Sequence, residues 1–288
     1  MSFSRVWFTT GSANGFGRFL TEHVLSQGEI VVATMRRTSP LDDLKAKYSS
    51  DRLLVVKVDV NNSHEIADAF AQVKMAFGRL DVVVNNAGWG VFGEVEAVRG
   101  EDARAMFDTN FWGAVNVSRE AVKFFRDVNA PGVGGRLLQI SSLLGVGGGP
   151  GVGFYSATKF ALWAALEGVS ESLAAELDPA WNIMVTIIEP GGYRTEGLSK
   201  VQWATSHPAY ANPDLPATKM RGFWDKISPF GDPRKAVRRF YEIASLSDPP
   251  LHLPLGKDAI ATVRGKIASL NSDTDKSIYL PEDLELEQ

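Results

Sequence analysis

The first thirty-five residues constrain the fold more than any other stretch of the chain. Val6 to Thr10 reads as a short strand, and Gly11-Ser12-Ala13-Asn14-Gly15-Phe16-Gly17 reads as a turn. Phe16, Phe19, Leu20 and Val24 then recur at helical spacing before a second apolar strand, Ile30 to Thr34. Glycines in such a turn remove the side chains that would keep backbone N–H groups and a helix N-terminus away from a pyrophosphate. The pattern repeats. Leu53 to Val58 is a nearly continuous apolar run ending at Asp59-Val60, and Asn62 with Glu65 forms a capping box ahead of the stripe Ile66, Ala69, Phe70, Val73 and Phe77. Leu80 to Val84, Arg136 to Ile140 and Met184 to Ile188 follow as strands with helical stripes between them. This alternation predicts an α/β fold: one doubly wound parallel sheet of about seven strands, helices on both faces, and a helical C-terminal extension.

Composition narrows the function classes. The 288 residues are 44% hydrophobic with a net charge of -4, an ordinary globular balance with no basic excess to suggest nucleic acid. There are no cysteines, which excludes disulfides and thiolate metal sites, and the four histidines are too scattered to form a ligand pair. No metal is expected. With no basic segment leading into an apolar one and no run of membrane-spanning length, the expectation is a cytoplasmic protein without a membrane partner.

The end of the second strand bears on cofactor choice. In NAD-binding units an acidic residue about 20 positions past the glycines holds the ribose 2′-hydroxyl, whereas an arginine there accommodates a 2′-phosphate. The corresponding residues are Met35, Arg36 and Arg37, and no acid appears before Asp42. Arg36, helped by the Ser12 hydroxyl, would neutralise the extra phosphate, so NADP(H) is expected over NAD(H).

The reaction chemistry gathers further along. Tyr155 and Lys159 stand four residues apart at the start of an apolar run to Leu177; if that run is helical, both lie on one face, one turn apart. A neighbouring ammonium lowers a phenol's pKa, so Tyr155 reads as a general acid/base tuned by Lys159. Ser142 ends the fifth strand, thirteen residues before Tyr155, where its hydroxyl can face the phenol. Asn110 is the polar exception on the apolar stripe of a long helix from Glu101, so it either caps a backbone irregularity or lines the site.

Taken in order, Thr10-Gly11-x-x-x-Gly15-x-Gly17, Asp59, Asn85-Asn86-Ala87-Gly88, Asn110, Ser142, Tyr155-x-x-x-Lys159 and Pro190-Gly191-x-x-x-Thr195 resemble the short-chain dehydrogenase/reductase family, over roughly residues 5 to 195. Within it the chain is similar to the carbonyl reductases related to 17β-hydroxysteroid dehydrogenases. The resemblance implies a Rossmann fold and assigns roles. Tyr155 would transfer the proton, Lys159 would lower its pKa and hold the nicotinamide ribose, Ser142 would bond the substrate oxygen, and Asn110 would hold a water leading from Lys159 to solvent. Gly11, Ser12, Asn14, Gly15, Phe16 and Gly17 would line the phosphates, with Asp59 and Val60 at the adenine and Asn86, Ala87 and Gly88 along the adenosine ribose. Pro190, Gly191, Tyr193 and Thr195 would fix the carboxamide.

The chain is read as one domain, 1–288, with a substrate lid at 195–230 and an extension at 257–288 ending in an acidic tail. Trp89, Phe92, Leu144, Val146 and Phe154 are candidate walls for an apolar carbonyl or alcohol substrate, with core packing as the alternative for each. Pairing through the helices near Asn110 and Tyr155 would make a homodimer or homotetramer, and the C-terminal helix leaves a monomer open. Two rival functions stay open: an epimerase or dehydratase sharing the Tyr/Lys chemistry, and a non-catalytic NADP-binding regulator. Arg36→Asp should shift the ratio of kcat/KM for NADPH over NADH toward NADH by about tenfold or more, the worth of one charge-assisted contact. An unchanged ratio in steady-state assays removes the phosphate argument.

Overall fold

The computed structural model describes residues 4–161, 176, 178–199, 201–224, 226 and 231–277. Nine strands are present among them: β1 (Val6–Thr10), β2 (Ile30–Met35), β3 (Leu53–Lys57), β4 (Val82–Asn85), β5 (Val91–Phe92), β6 (Gly135–Ile140), β7 (Ile183–Pro190), β8 (Gln202–Trp203) and β9 (His252–Leu255). Seven form one sheet in the order β3-β2-β1-β4-β6-β7-β9, parallel throughout. The remaining two, β5 and β8, pair separately, with Val91 opposite Gln202 and Phe92 opposite Trp203. Chain order reverses direction between β1 and β4, and the carboxyl ends of both strands open there on one edge, where ligands bind in open sheets.

Each face of the sheet carries its own core. Helix α1 (Gly15–Ser26) lies on one face, where Leu20, Val24 and Leu25 are buried with Trp7 and Val31. Across the other face, Val6, Phe8, Val83 and Leu137 meet Ile66, Phe70 and Val73 of α3 (Ser63–Phe77). Helix α2 (Asp42–Lys47) is one short segment after β2. The central strands are buried on both sides, which explains their unbroken apolar runs.

The long helix expected from Glu101 is divided. α4 (Gly100–Phe107) passes into a π-helical turn at Asp108–Gly113 and then into α5 (Ala114–Asp127). Asn110 sits in that wide turn, so the irregularity that its position hinted at is real. Of the helix expected from Tyr155 to Leu177, α6 (Gly153–Phe160) is present and residues 162–175 and 177 lie outside the described set.

The 195–230 segment, expected as a substrate lid, contains α7 (Glu196–Ser199), β8 and α8 (Pro216–Trp224). Its Phe230 and Pro229 lie outside the described residues. Helix α9 (Pro233–Ile243) begins where Asp232 accepts from Arg234 N, packing Phe240 onto Phe16. β9 pairs only with β7, so Pro254 occupies a sheet edge, where its missing N–H costs nothing. Helix α10 (Lys257–Ser277) makes up the described part of the expected extension, and the acidic tail lies outside the described residues.

The capping box is only half formed. Asn62 Oδ1 accepts from His64 N and Glu65 N, but Glu65 Oε2 takes the backbone N–H of Asp59 at 2.8 Å. A buried asparagine closes the opposite end of the sheet. Asn129 accepts from Leu80 N (3.0 Å) and donates to Leu80 O (2.6 Å) and Gly134 O (2.7 Å). Replacing it strands one donor and two acceptors out of reach of water. Asn129→Ala should cost about 2 to 3 kcal/mol and lower Tm by about 5 to 10 °C; an unchanged melting curve shows that water enters there freely.

Candidate active site

Glycines at the sheet's carboxyl edge act mainly by letting backbone pack on backbone. Gly11 has φ +67°, and a Cβ there would lie 2.9 Å from Ala87 Cα. At Gly17 a side chain would meet the carbonyl of Gly11 and the amide of Asn86. Asn86 Nδ2 donates to Thr10 O (2.9 Å) and Gly11 O (3.2 Å), while Thr10 Oγ1 accepts from both Asn86 N and Ala87 N. Strand ends β1 and β4 are thereby laced together. Gly15, with φ +54°, faces Thr195, whose Cβ would lie 3.6 Å from an added Cβ. The glycine turn and the Pro190 to Thr195 segment therefore meet at the cleft that an open sheet leaves beyond the carboxyl ends of its strands.

That cleft suits a dinucleotide. Asn14 at the N-cap of α1 makes no side-chain cap and the first turn carries no acid, which leaves N–H donors and the positive helix end for an anion. Arg36 and Arg37 are exposed beyond buried Met35, with no carboxylate beside them. Ser12 differs from expectation: it is fully buried and its hydroxyl donates to Thr9 O at 3.0 Å, so the turn's own backbone takes the group assigned to a phosphate. Phe16 and Tyr193 stack edge to face at 5.4 Å, and the Tyr193 hydroxyl donates to Leu255 O, so both rings pack against the fold. Gly191 N–H reaches Leu255 O and Gly192 N–H reaches Asp258, fixing this segment from behind. Asp59 Oδ1 accepts from Asn61 N, and Val60 is buried, its side chain lying where a Cβ on Gly113 would fall.

The reacting groups converge beside this cleft. Ser142 follows β6 and caps a short turn, accepting from Leu144 N, and it lies near enough to the Tyr155 phenol to lower its pKa. One turn along α6, buried Lys159 donates from Nζ to Ile140 O at 2.9 Å. Asn110 accepts from Trp89 N (3.0 Å) and donates to Trp89 O (2.8 Å) and Thr158 Oγ1 (2.9 Å). Thr158 in turn donates to Tyr155 O. Two more glycines pack closely on these side chains: a Cβ on Gly88 would approach Asn110 Oδ1 (3.2 Å) and Lys159 Nζ (3.7 Å), and one on Gly90 would strike the Tyr155 ring at 2.6 Å.

The electrostatics correct one expectation. Burial pushes the Tyr155 phenol up to about 12, which the Ser142 hydrogen bond only partly offsets. Burial also draws the Lys159 ammonium down to about 8. The lysine is aimed at Ile140 O, and burial, not the ammonium, sets the direction of the phenol's shift.

The wall candidates divide. Phe92 and Val146 are buried, whereas Trp89, Leu144 and Phe154 are half-buried. Trp89, Phe154 and Tyr155 pack on a small cluster of Val91, Val98, Ala103 and Met106. Sequence reasoning missed Thr158 and Ile140, one lying inside the Tyr-x-x-x-Lys stretch and the other acting through its backbone alone.

A phenol, a hydroxyl and an ammonium beside a nucleotide cleft define an oxidoreductase site of the Rossmann class. Residues 5–205 match the short chain dehydrogenase family, and the chain belongs to it. It is 38% identical over 274 residues to an uncharacterised oxidoreductase of Schizosaccharomyces pombe, covering 94% of this chain and 88% of the relative. It is 33% identical to the 3-ketodihydrosphingosine reductase of Bacteroides thetaiotaomicron, covering 86% of each. A crystal structure of a short-chain dehydrogenase from Streptomyces avermitilis superposes with a TM-score of 0.86 at 31% identity, covering 99% of this chain and 100% of that one. The closed form of a serine dehydrogenase complexed with NADP+ superposes at 0.68 with 26% identity, covering 86% and 93%.

A lysine whose folded pKa is lowered opposes folding while it is charged. With values of about 8 folded and 10.5 unfolded, the deficit is complete below pH 8 and fades as pH rises to 10.5. Lys159→Met should therefore abolish turnover while raising Tm at pH 7 by about 5 °C, a gain that disappears near pH 10.5. Equal melting temperatures at pH 7 show that the ammonium is hydrated in the folded chain.

Proposed function

We propose that the chain uses NADPH to reduce a ketone or aldehyde on an apolar small molecule, reversibly, with Tyr155 as general acid/base. The observation that carries this reading is the Tyr155 phenol placed where Ser142 acts on it, with Lys159 one turn along the same helix and Gly90 packed so closely on its ring that a side chain there would displace it. Two hydroxyls converging on one point suit a carbonyl oxygen, which needs one donor to position it and one proton to complete its reduction. At neutral pH a phenol held near 12 carries the proton to be given, and charge developing on the carbonyl oxygen would draw it across.

Gly15, Gly17 and the open α1 N-terminus would take the pyrophosphate, Arg36 the 2′-phosphate, and Thr195 with the Pro190-Gly191 turn the nicotinamide end. Bound there, the cofactor supplies the hydride that the carbonyl carbon receives. Lys159 holds its proton below pH 8 and lies close to Gly88, where a ribose hydroxyl would enter. Ser142 steadies the oxygen as charge develops on it. Preference for NADPH rests on exposed Arg36 and on the missing carboxylate at the end of β2. Preference for an apolar substrate rests on Phe92, whose ring centroid lies 5.4 Å from that of Tyr155. Ketone reduction is also the activity named for the Bacteroides relative.

Tyr155→Phe should lower kcat for carbonyl reduction by about a thousandfold, the usual worth of a positioned acid, with NADPH affinity within about threefold of the parent. Full turnover in this variant, followed as loss of NADPH absorbance over a carbonyl panel, refutes the assignment.

A further inference from the structure

Glu94 is a buried carboxylate that the chemistry of Tyr155 does not use. It follows β5 and its side chain keeps 2% exposure. A charge so placed is costly unless paired and hydrogen-bonded. Its Oε1 accepts from Ser206 Oγ at 3.0 Å and its Oε2 meets Arg221 Nη2 at 3.3 Å. Burial raises the carboxyl, but its backbone bond, Ser206 and Arg221 outweigh that and hold it below the usual range.

Arg221, on α8, extends the link. Its Nη1 donates to Ala204 O at 3.0 Å, and its guanidinium lies 4.6 Å over the Trp203 ring. Ala204 N–H donates to Phe92 O at 2.7 Å. Phe92 then meets Trp203 at 5.6 Å and Trp224 at 4.9 Å, both edge to face, and Tyr155 at 5.4 Å. Among the described residues, the side-chain hydrogen bonds and ion pairs that tie 201–224 to the rest of the chain all end on Glu94 or Glu96. One buried charge pair therefore registers an aromatic wall against the catalytic ring.

We propose that Glu94 and Arg221 are specificity-determining positioning residues: by fixing Trp203 and Phe92, they make the site select carbonyl compounds with a large flat or extended apolar body over small hydrophilic ones. The proposal rests on the reductase reading for its reaction but not for its binding step. Apolar groups gain from burial against fixed aromatic rings in proportion to their area, whereas a small hydroxylated ketone has little to bury.

The test compares 4-phenyl-2-butanone and 2-decanone with hydroxyacetone, with NADPH, on the full chain and its Arg221→Met, Arg221→Lys and Trp203→Ala variants. The parent should favour the two apolar ketones by about a hundredfold in kcat/KM, the worth of a few buried methylenes. Arg221→Met should raise their KM about tenfold with kcat changed less than about threefold, leave hydroxyacetone unmoved, and be partly rescued by Arg221→Lys. Trp203→Ala, which keeps the ion pair, should lose the same selectivity, so the test survives if Arg221→Met does not fold. Equal treatment of all three ketones by the parent, or selectivity untouched by both Trp203→Ala and a folded Arg221→Met, overturns the proposal. Calorimetric binding of 4-phenyl-2-butanone separates the two readings: binding that weakens in Trp203→Ala without turnover in the parent supports the wall and refutes the reductase. Absence of both binding and turnover in the parent overturns the wall itself.

Discussion

An ammonium taken out of water needs every neighbour in place, and Lys159 is such a group. Its one hydrogen bond within the described chain goes to Ile140 O, at the carboxyl end of a central strand. That bond fixes α6 against β6, and because Tyr155 lies on α6 and Ser142 two residues beyond β6, the same bond helps set their separation. Ser141 adds a second tie, reaching Lys159 O at 3.5 Å. The cost of dehydration is thus bound up with the geometry on which proton transfer relies.

The π-turn serves the same end from the opposite side. A regular helix through Asp108–Gly113 keeps its backbone donors to itself, whereas the wide turn is accompanied by an Asn110 whose side chain bridges Trp89 and Thr158. Behind it, Asn85, Ser118 and Gln139 converge: Ser118 Oγ accepts from Asn85 Nδ2 and Gln139 Nε2 and donates to Ala114 O. A back-bonded serine of this kind bends a helix, and here it lies in the first turn after the irregularity. Site and scaffold are held by polar contacts that cross the sheet's carboxyl edge.

The sheet was legible in the sequence because strands covered on both faces leave unbroken apolar runs, and the helices because their stripes are regular. Asn110, Tyr155, Lys159 and Ser142 stood out as polar residues where pattern alone called for apolar or small ones. What stayed hidden shares a physical cause. Ile140 acts through a carbonyl that every residue possesses, and Glu65 reaches the Asp59 N–H rather than its own cap because only the folded turn brings Asp59 closer. Glu94 looks like surface charge in Gly93-Glu94-Val95-Glu96, since its partner lies more than a hundred residues away. Ser12 is the reverse case: its spacing suited a phosphate, but a hydroxyl this close to a strand end finds the Thr9 carbonyl first.

The direction of the Tyr155 shift bears on how the site is loaded. A phenol lowered toward neutrality is divided between acid and base, whereas one held near 12 carries its proton at any physiological pH. Under the proposed reaction, a protonated phenol is the form that carbonyl reduction would consume. Acting as a base requires positive charge nearer the phenol than Lys159 provides while it faces Ile140 O. A cationic nicotinamide bound in the cleft would add such charge, so the two directions call for different cofactor redox states as a matter of electrostatics as well as stoichiometry. Under the proposed reaction the same phenol would serve both directions without moving, since the charge of a bound cofactor would favour the protonation state that each direction requires.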